Sequence, residues 1–181
     1  MFGDFTTSRL QAEPWRDILQ DDQRRGTLLQ ELGEILDDQV TAFLPESLWF
    51  TPGQTDVGEW AKTFSQGTSE ISSIRVISSG NDAPLAGVLL LRPESPSDLH
   101  IGYIFGQQHW GKGYATELLR GLVSSLTKGG YKALVHAGVV QGNPASARVL
   151  IKVGFAQGDD DGASGKHKQA DDVDWFLMNF R

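Results

Sequence analysis

The chain contains no cysteine. Disulfide staples, thiolate catalysis and cysteine-ligated zinc are therefore excluded. Long apolar runs are missing as well: none approaches the ~20 residues that a membrane-spanning helix needs. The opening Met1-Phe2-Gly3-Asp4-Phe5 lacks the basic and then apolar build of a secretory leader, so a cytoplasmic address with no membrane partner is expected. Positive charge is in short supply. Only 16 Lys and Arg face 23 Asp and Glu, for a net charge of −7. Nucleic-acid binding needs a basic footprint, so no nucleic-acid partner is expected. A small anion is not excluded, because a local nest of backbone N–H groups binds phosphate even inside an acidic protein.

What is present is an ordinary soluble composition. With 181 residues and 39% apolar content, the chain can bury a real core. No internal repeat or linker marks a boundary, so a single domain over residues 1–181 is expected. Arg9 to Ala12 reads as a first strand closed by Pro14. Trp15 to Val40 has helical spacing, with Gly26 and Gly33 as expected interruptions. Phe43 to Gly53 is a loop rich in aromatic and apolar groups, and Val57 to Phe64 a short helix. Ile71 to Ser79, Leu85 to Leu91 and Leu99 to Phe105 read as strands, the first two joined by a Gly80-Asn81-Asp82 turn.

Ala115, Leu118, Leu119, Leu122, Val123 and Leu126 form one apolar stripe, so Gly113 to Lys128 reads as a helix ended by Gly129-Gly130. Ala133 to Val140 is the next strand. Asn143-Pro144 is an N-cap followed by a first-turn proline, opening a helix that Gly154 stops. A short strand starts at Phe155. An acidic, glycine-bearing loop spans Gly158 to Asp172, and Asp174 to Phe180 is the last strand. The order predicts an α+β (mixed α/β) fold around a mostly antiparallel sheet.

The most informative stretch is Gln108-His109-Trp110-Gly111-Lys112-Gly113-Tyr114-Ala115-Thr116-Glu117. It joins an apolar strand to the best helix. Glycines there let consecutive N–H groups line a hollow at the positive end of a helix dipole, which suits a pyrophosphate. A plain strand-to-helix connection has the same appearance. Gly106 to Lys112 also matches part of a nucleotide P-loop, but Gly113 stands where Ser or Thr must hold Mg²⁺. A dinucleotide fingerprint fails for want of the third glycine or alanine.

The pattern Gln108-x-x-Gly111-x-Gly113 resembles the Q/R-x-x-G-x-G/A signature of the GNAT superfamily of N-acetyltransferases. Trp110 to Glu117, Ile101-Gly102-Tyr103, Asn143 to Leu150, Lys152 to Phe155 and Thr7-Ser8-Arg9-Leu10 resemble the branch that includes the ribosomal-protein N-terminal acetyltransferases RimJ and RimL. These blocks span nearly the whole chain in that branch's order. The resemblance implies a six- to seven-stranded sheet flanked by about four helices, with a splay between the fourth and fifth strands.

It also implies acetyl-CoA as co-substrate and no metal. The pantetheine would pair with the backbone of Tyr103, Ile104 and Phe105. The pyrophosphate would sit on Gln108, His109, Trp110, Gly111, Lys112, Gly113, Tyr114, Ala115 and Thr116. Asn143 would contact the cofactor besides capping its helix, and Ser146 would lie near the sulfur as a donor to the leaving thiolate.

The implied reaction is direct acetyl transfer to a primary amine, on a protein N-terminus or a small molecule, by a monomer or homodimer. The amine must lose a proton before it attacks. Many relatives use a strand glutamate as base, but here the matching positions hold His100 and His136. Histidine is a competent base near neutral pH, and is equally at home as a structural residue. The tyrosine acid of some relatives has no counterpart, since Leu150 occupies its place. Catalysis by positioning alone therefore stays open. So does the alternative of a non-catalytic acyl-CoA-binding or interaction module. Trp49 and Phe50, between two prolines, are the expected acceptor-pocket residues.

Overall fold

The computed structural model describes residues 4–65, 69–77, 83–158 and 172–180. The Gly80-Asn81-Asp82 turn, the end of the strand expected to reach Ser79, and most of the acidic loop after Gly158 lie outside them. Within them the strands are β1 (Phe5–Thr6), β2 (Leu10–Pro14), β3 (Glu70–Val76), β4 (Leu85–Ser95), β5 (Asp98–Phe105), β6 (Leu134–Val140), β7 (Ala156–Gln157) and β8 (Val173–Asn179). The helices are α1 (Trp15–Ile18), α2 (Asp22–Ile35), α3 (Asp38–Thr41), α4 (Val57–Phe64), α5 (Tyr114–Lys128) and α6 (Pro144–Val153). Single 3₁₀ turns occupy Glu46–Leu48 and Gln107–His109.

The strands form one mixed sheet of eight, in the order β1-β2-β3-β4-β5-β6-β8-β7. This is the expected α+β class with a higher strand count. The added strand is β1, two residues long, too short to leave an alternating pattern and formed by pairing with β2. The short strand expected from Phe155 is β7, which pairs with β8. The helix count is also higher, because the Trp15–Val40 region breaks where it was not expected to break. Gly26 and Gly33 both lie inside α2. The interruptions fall at Asp21 and Asp37 instead. The Asp21 carboxylate accepts from Arg24 N, and that of Asp37 from Gln39 N and Val40 N, so each starts a new helix as its N-cap.

One pairing is parallel, β5 with β6, and it is short. It joins Asp98, Leu99 and His100 to Leu134, Val135 and His136. Beyond that point β5 stays with β4 as far as Phe105, and β6 stays with β8 as far as Val140. The two strands therefore splay apart between the expected fourth and fifth strands. The edge of β5 from Ile101 to Phe105 is left without a ladder on its β6 side.

Alternation along the strands sorts the core onto two faces. Leu99, Ile101, Phe105, Val135 and Ala137 face α5 and α6, packing on Leu118, Leu119, Leu122 and Leu150. Val88 and Ile104 face the other way, against Trp15, Leu32, Trp60 and Phe64 of the early helices. Both faces are covered near β4 and β5, which holds the splay in a rigid surround.

Candidate functional site

The turn after β5 is built from backbone constraints. Gly106 N donates to Ala86 O, and His109 N and Trp110 N close the 3₁₀ turn on Gly106 O and Gln107 O. The Gln107 amide donates to Asp37 at 2.6 Å, fixing the turn to the start of α3. The Trp110 indole N–H returns to Phe105 O at 2.6 Å, while its ring stays about half exposed. Gly111 and Gly113 then adopt φ of +72° and +79°. That left-handed geometry is strained for any residue with a Cβ, and this accounts for both glycines.

Gly113 is the N-cap of α5, and no side chain caps this helix. Its 15 residues start instead on a turn that leaves the first N–H groups without a side-chain cap. By contrast α2, α3, α4 and α6 start on Asp21, Asp37, Asp56 and Asn143, each of which accepts an N–H of its own helix. The longest helix thus presents unsatisfied donors and a positive dipole end to whatever lies above Gly111–Thr116.

Across the splay stands the start of α6. Asn143 Oδ1 accepts from Ser146 N at 3.2 Å, an ordinary N-cap that fixes the first turn. The Ser146 hydroxyl meets the Tyr103 hydroxyl of β5 at 2.9 Å. This hydroxyl pair bridges the diverging strands on the face of α5 and α6. Burial pushes the Tyr103 phenol above its ordinary range, partly offset by its bond to Ser146, so it keeps its proton at neutral pH. The sequence reading gives Tyr103 a part through its backbone alone and carries no sign of this hydroxyl contact.

At the vertex, His100 and His136 are direct cross-strand partners and stack with ring centroids 4.8 Å apart, at an interplanar angle of 4°. They alternate with core residues that face α5 and α6, so they point to the opposite side of the sheet. His136 is buried, and its Nε2 lies 3.3 Å from Asp98 Oδ1. Asp98 in turn accepts from the Ser95 and Ser97 hydroxyls. The Ser95 bond above all, then His136 and Ser97, hold its carboxyl below the usual range against the opposing pull of burial. The Trp175 ring of β8 meets His100 edge-on, with centroids 5.6 Å apart. Asp98 and Trp175 were not foreseen. Asp98 was findable, since it sits two positions before His100 and so shares its face.

The remaining expected residues divide. His109 has its pKa lowered by burial first and by Lys112 second, against a backbone hydrogen bond with Leu85 that raises it. Gln108 and Lys112 are exposed. Trp49 is 53% exposed, anchored by its indole N–H on Leu44 O. Phe50 corrects the sequence expectation: it is 3% exposed and lies in the core of the early helices. Its N–H donates to the buried Thr41 hydroxyl, which ties this segment to the end of α3. No cluster of three or more His, Asp or Glu able to hold a metal occurs among the described residues.

Residues 27–156, most of the chain, match the family described as acetyltransferase (GNAT) domain. The chain belongs to that family. The uncharacterized protein YkkB of Bacillus subtilis (strain 168) is 34% identical over 69 residues. That alignment covers 38% of this chain and 40% of YkkB, so the chain matches about two fifths of this curated relative's length. A GNAT-family acetyltransferase from Bacillus anthracis superposes with a TM-score of 0.69 at 17% identity, covering 97% of this chain and 98% of that one. RimL, a ribosomal L7/L12 α-N-protein acetyltransferase solved with coenzyme A, gives 0.66 at 17% identity, with 98% of each chain covered. These distant structures attest the GNAT fold.

The residues present fit a CoA thioester. The unladdered edge of β5 offers backbone groups to an amide-bearing arm, and it leads directly to the open donors of α5. Gly111 and Gly113 leave the space above them free of any Cβ.

Proposed function

We propose that this GNAT protein is an acetyl-CoA-dependent N-acetyltransferase that acts on a primary amine, of a protein N-terminus or of a small molecule. One observation carries the reading: the splay opens between an uncapped, glycine-bearing helix start and two distinct sets of proton-handling side chains. Acetyl-CoA, when bound, supplies the acetyl group as an activated thioester. The chain's own residues do the rest. Tyr103, Ile104 and Phe105 offer the strand edge, and Gln108 to Thr116 the anion nest. Asn143 orients Ser146 by capping α6.

The two faces divide the proton work. On one side His100 and His136 receive the proton that the amine must lose, with Asp98 fixing the His136 ring. On the other, Ser146 donates a hydrogen bond toward the departing sulfur from the positive end of α6, with the Tyr103 hydroxyl behind it. The tyrosine missing from α6 is thus replaced in kind by one on β5.

The test is a thiol-release screen with acetyl-CoA against peptide N-termini, polyamines and small amines. Saturable release with at least one amine class is expected. Saturable acetyl-CoA binding with no release on any amine would instead give the non-catalytic acyl-CoA-binding module. Undiminished turnover in His100→Asn, His136→Asn and Ser146→Ala would remove the proton roles.

A further inference from the structure

Glu117 lies in the first turn of α5, a place where its charge should work against an anion bound at the helix start. Its surroundings deal with that charge. Its Oε1 accepts from the Thr7 hydroxyl at 2.6 Å, the Ser8 hydroxyl at 3.0 Å and Arg9 N at 2.8 Å. Its Oε2 takes the Arg9 Nε–H at 2.7 Å. Arg9 reaches further along the same loop. Its Nη1 donates to Lys112 O at 3.1 Å, and its guanidinium lies 4.7 Å from the centre of the Tyr114 ring. Its Nη2 is the nearest atom, at 3.7 Å, to where a Cβ on Gly113 would be. One side chain therefore contacts Lys112, Tyr114 and Glu117 and lies beside Gly113, in the segment that shapes the nest.

We infer that Arg9 is a positioning residue for the anion site: it neutralises Glu117 and latches the Lys112–Tyr114 turn, so that the nest stays net positive toward a pyrophosphate. This deepens the acetyl-CoA reading and rests on it. Burial alone would favour a neutral Glu117, yet the hydrogen bonds from Thr7, Arg9 and Ser8 hold its carboxyl at about 2. The carboxylate is thus fully charged under any working condition. Without Arg9, a full negative charge would stand about one helical turn from a diphosphate bound at the start of α5.

The experiment is calorimetric titration of CoA, and separately of ADP, into the full chain at low and high salt. Arg9→Gln should weaken both ligands by roughly 10- to 30-fold at low salt, less at high salt because the unmasked repulsion is screened. Glu117→Gln should bind as well as wild type or more tightly. The double variant should recover most of the Arg9→Gln loss. That recovery separates the inference from a direct Arg9–phosphate contact, which removing Glu117 cannot restore. A double variant as weak as Arg9→Gln overturns the inference. So does a tenfold loss in Glu117→Gln, which is read even if Arg9→Gln fails to fold. A wild-type protein that binds neither ligand overturns the acetyl-CoA reading itself.

Discussion

Replacing Glu117 by Gln should destabilise the fold in a pH-dependent way. Glu117 is held at about 2 against an ordinary 4.5. Each pH unit of such a difference is worth about 1.4 kcal/mol, which sets a ceiling of about 3 kcal/mol on the stability its charge contributes. The side chain is 16% exposed and Arg9 is 47% exposed, so solvent screens part of this. A contribution of about 1–2 kcal/mol is the working figure. The folded carboxyl is the stronger acid, so the unfolded chain takes up its proton first. The contribution is therefore complete above about pH 4.5 and is lost as pH falls toward 2. Urea unfolding of both proteins at pH 7, 5, 4 and 3 reads the difference directly, since other carboxylates cancel between them. The gap should be about 1–2 kcal/mol at pH 7 and pH 5, then close steadily below. A gap that stays constant down to pH 3 would show that shape or neutral hydrogen bonds, not the charge, carry the effect. No gap at pH 7 would show that the clasp does not stabilise the fold.

Three further outcomes follow from the geometry. Gly87→Ala would place a Cβ 2.1 Å from the Ile104 carbonyl oxygen. The β4–β5 ladder must open to admit it, so a loss of about 3 kcal/mol is expected in urea unfolding, along with weaker CoA binding at the adjacent strand edge. Phe50→Ala should cost about 3–4 kcal/mol by leaving a cavity, whereas the exposed Trp49→Ala should cost under about 1 kcal/mol. Equal effects in thermal unfolding would contradict the burial that separates them. If the histidine pair accepts the amine proton, kcat should fall about tenfold or more in His100→Asn or His136→Asn while the KM for acetyl-CoA stays near wild type, and an unchanged kcat in both variants would point to water as the proton acceptor.

The elements that read well in the sequence are those whose signal is local. The Leu118–Leu122–Leu126 stripe, Asn143-Pro144 and the paired glycines at 111 and 113 each state a backbone requirement within a few residues, and each appears where it was read. Gly26 and Gly33 show the limit of that logic. A glycine only lowers helix propensity by about 1 kcal/mol, and packing of Leu28, Leu32 and Ile35 outweighs it. An aspartate that caps a new helix offers the chain a definite alternative, so Asp21 and Asp37 win. The site is less legible because its decisive contacts join distant positions. The Tyr103–Ser146 bridge spans 43 residues and the Thr7–Glu117 bond 110. Neither residue of either pair has a pattern that announces its partner. What the sequence does carry is parity. Residues at 98, 100 and 102 of β5 must share one face, and those at 99, 101, 103 and 105 the other. From that alone Tyr103 lies on the side of α5 and α6, and Asp98 beside His100. The division of the site into a hydroxyl face and an imidazole face follows from strand alternation once the splay is known. Only the splay itself, set by where β6 leaves β5 for β8, needed the third dimension.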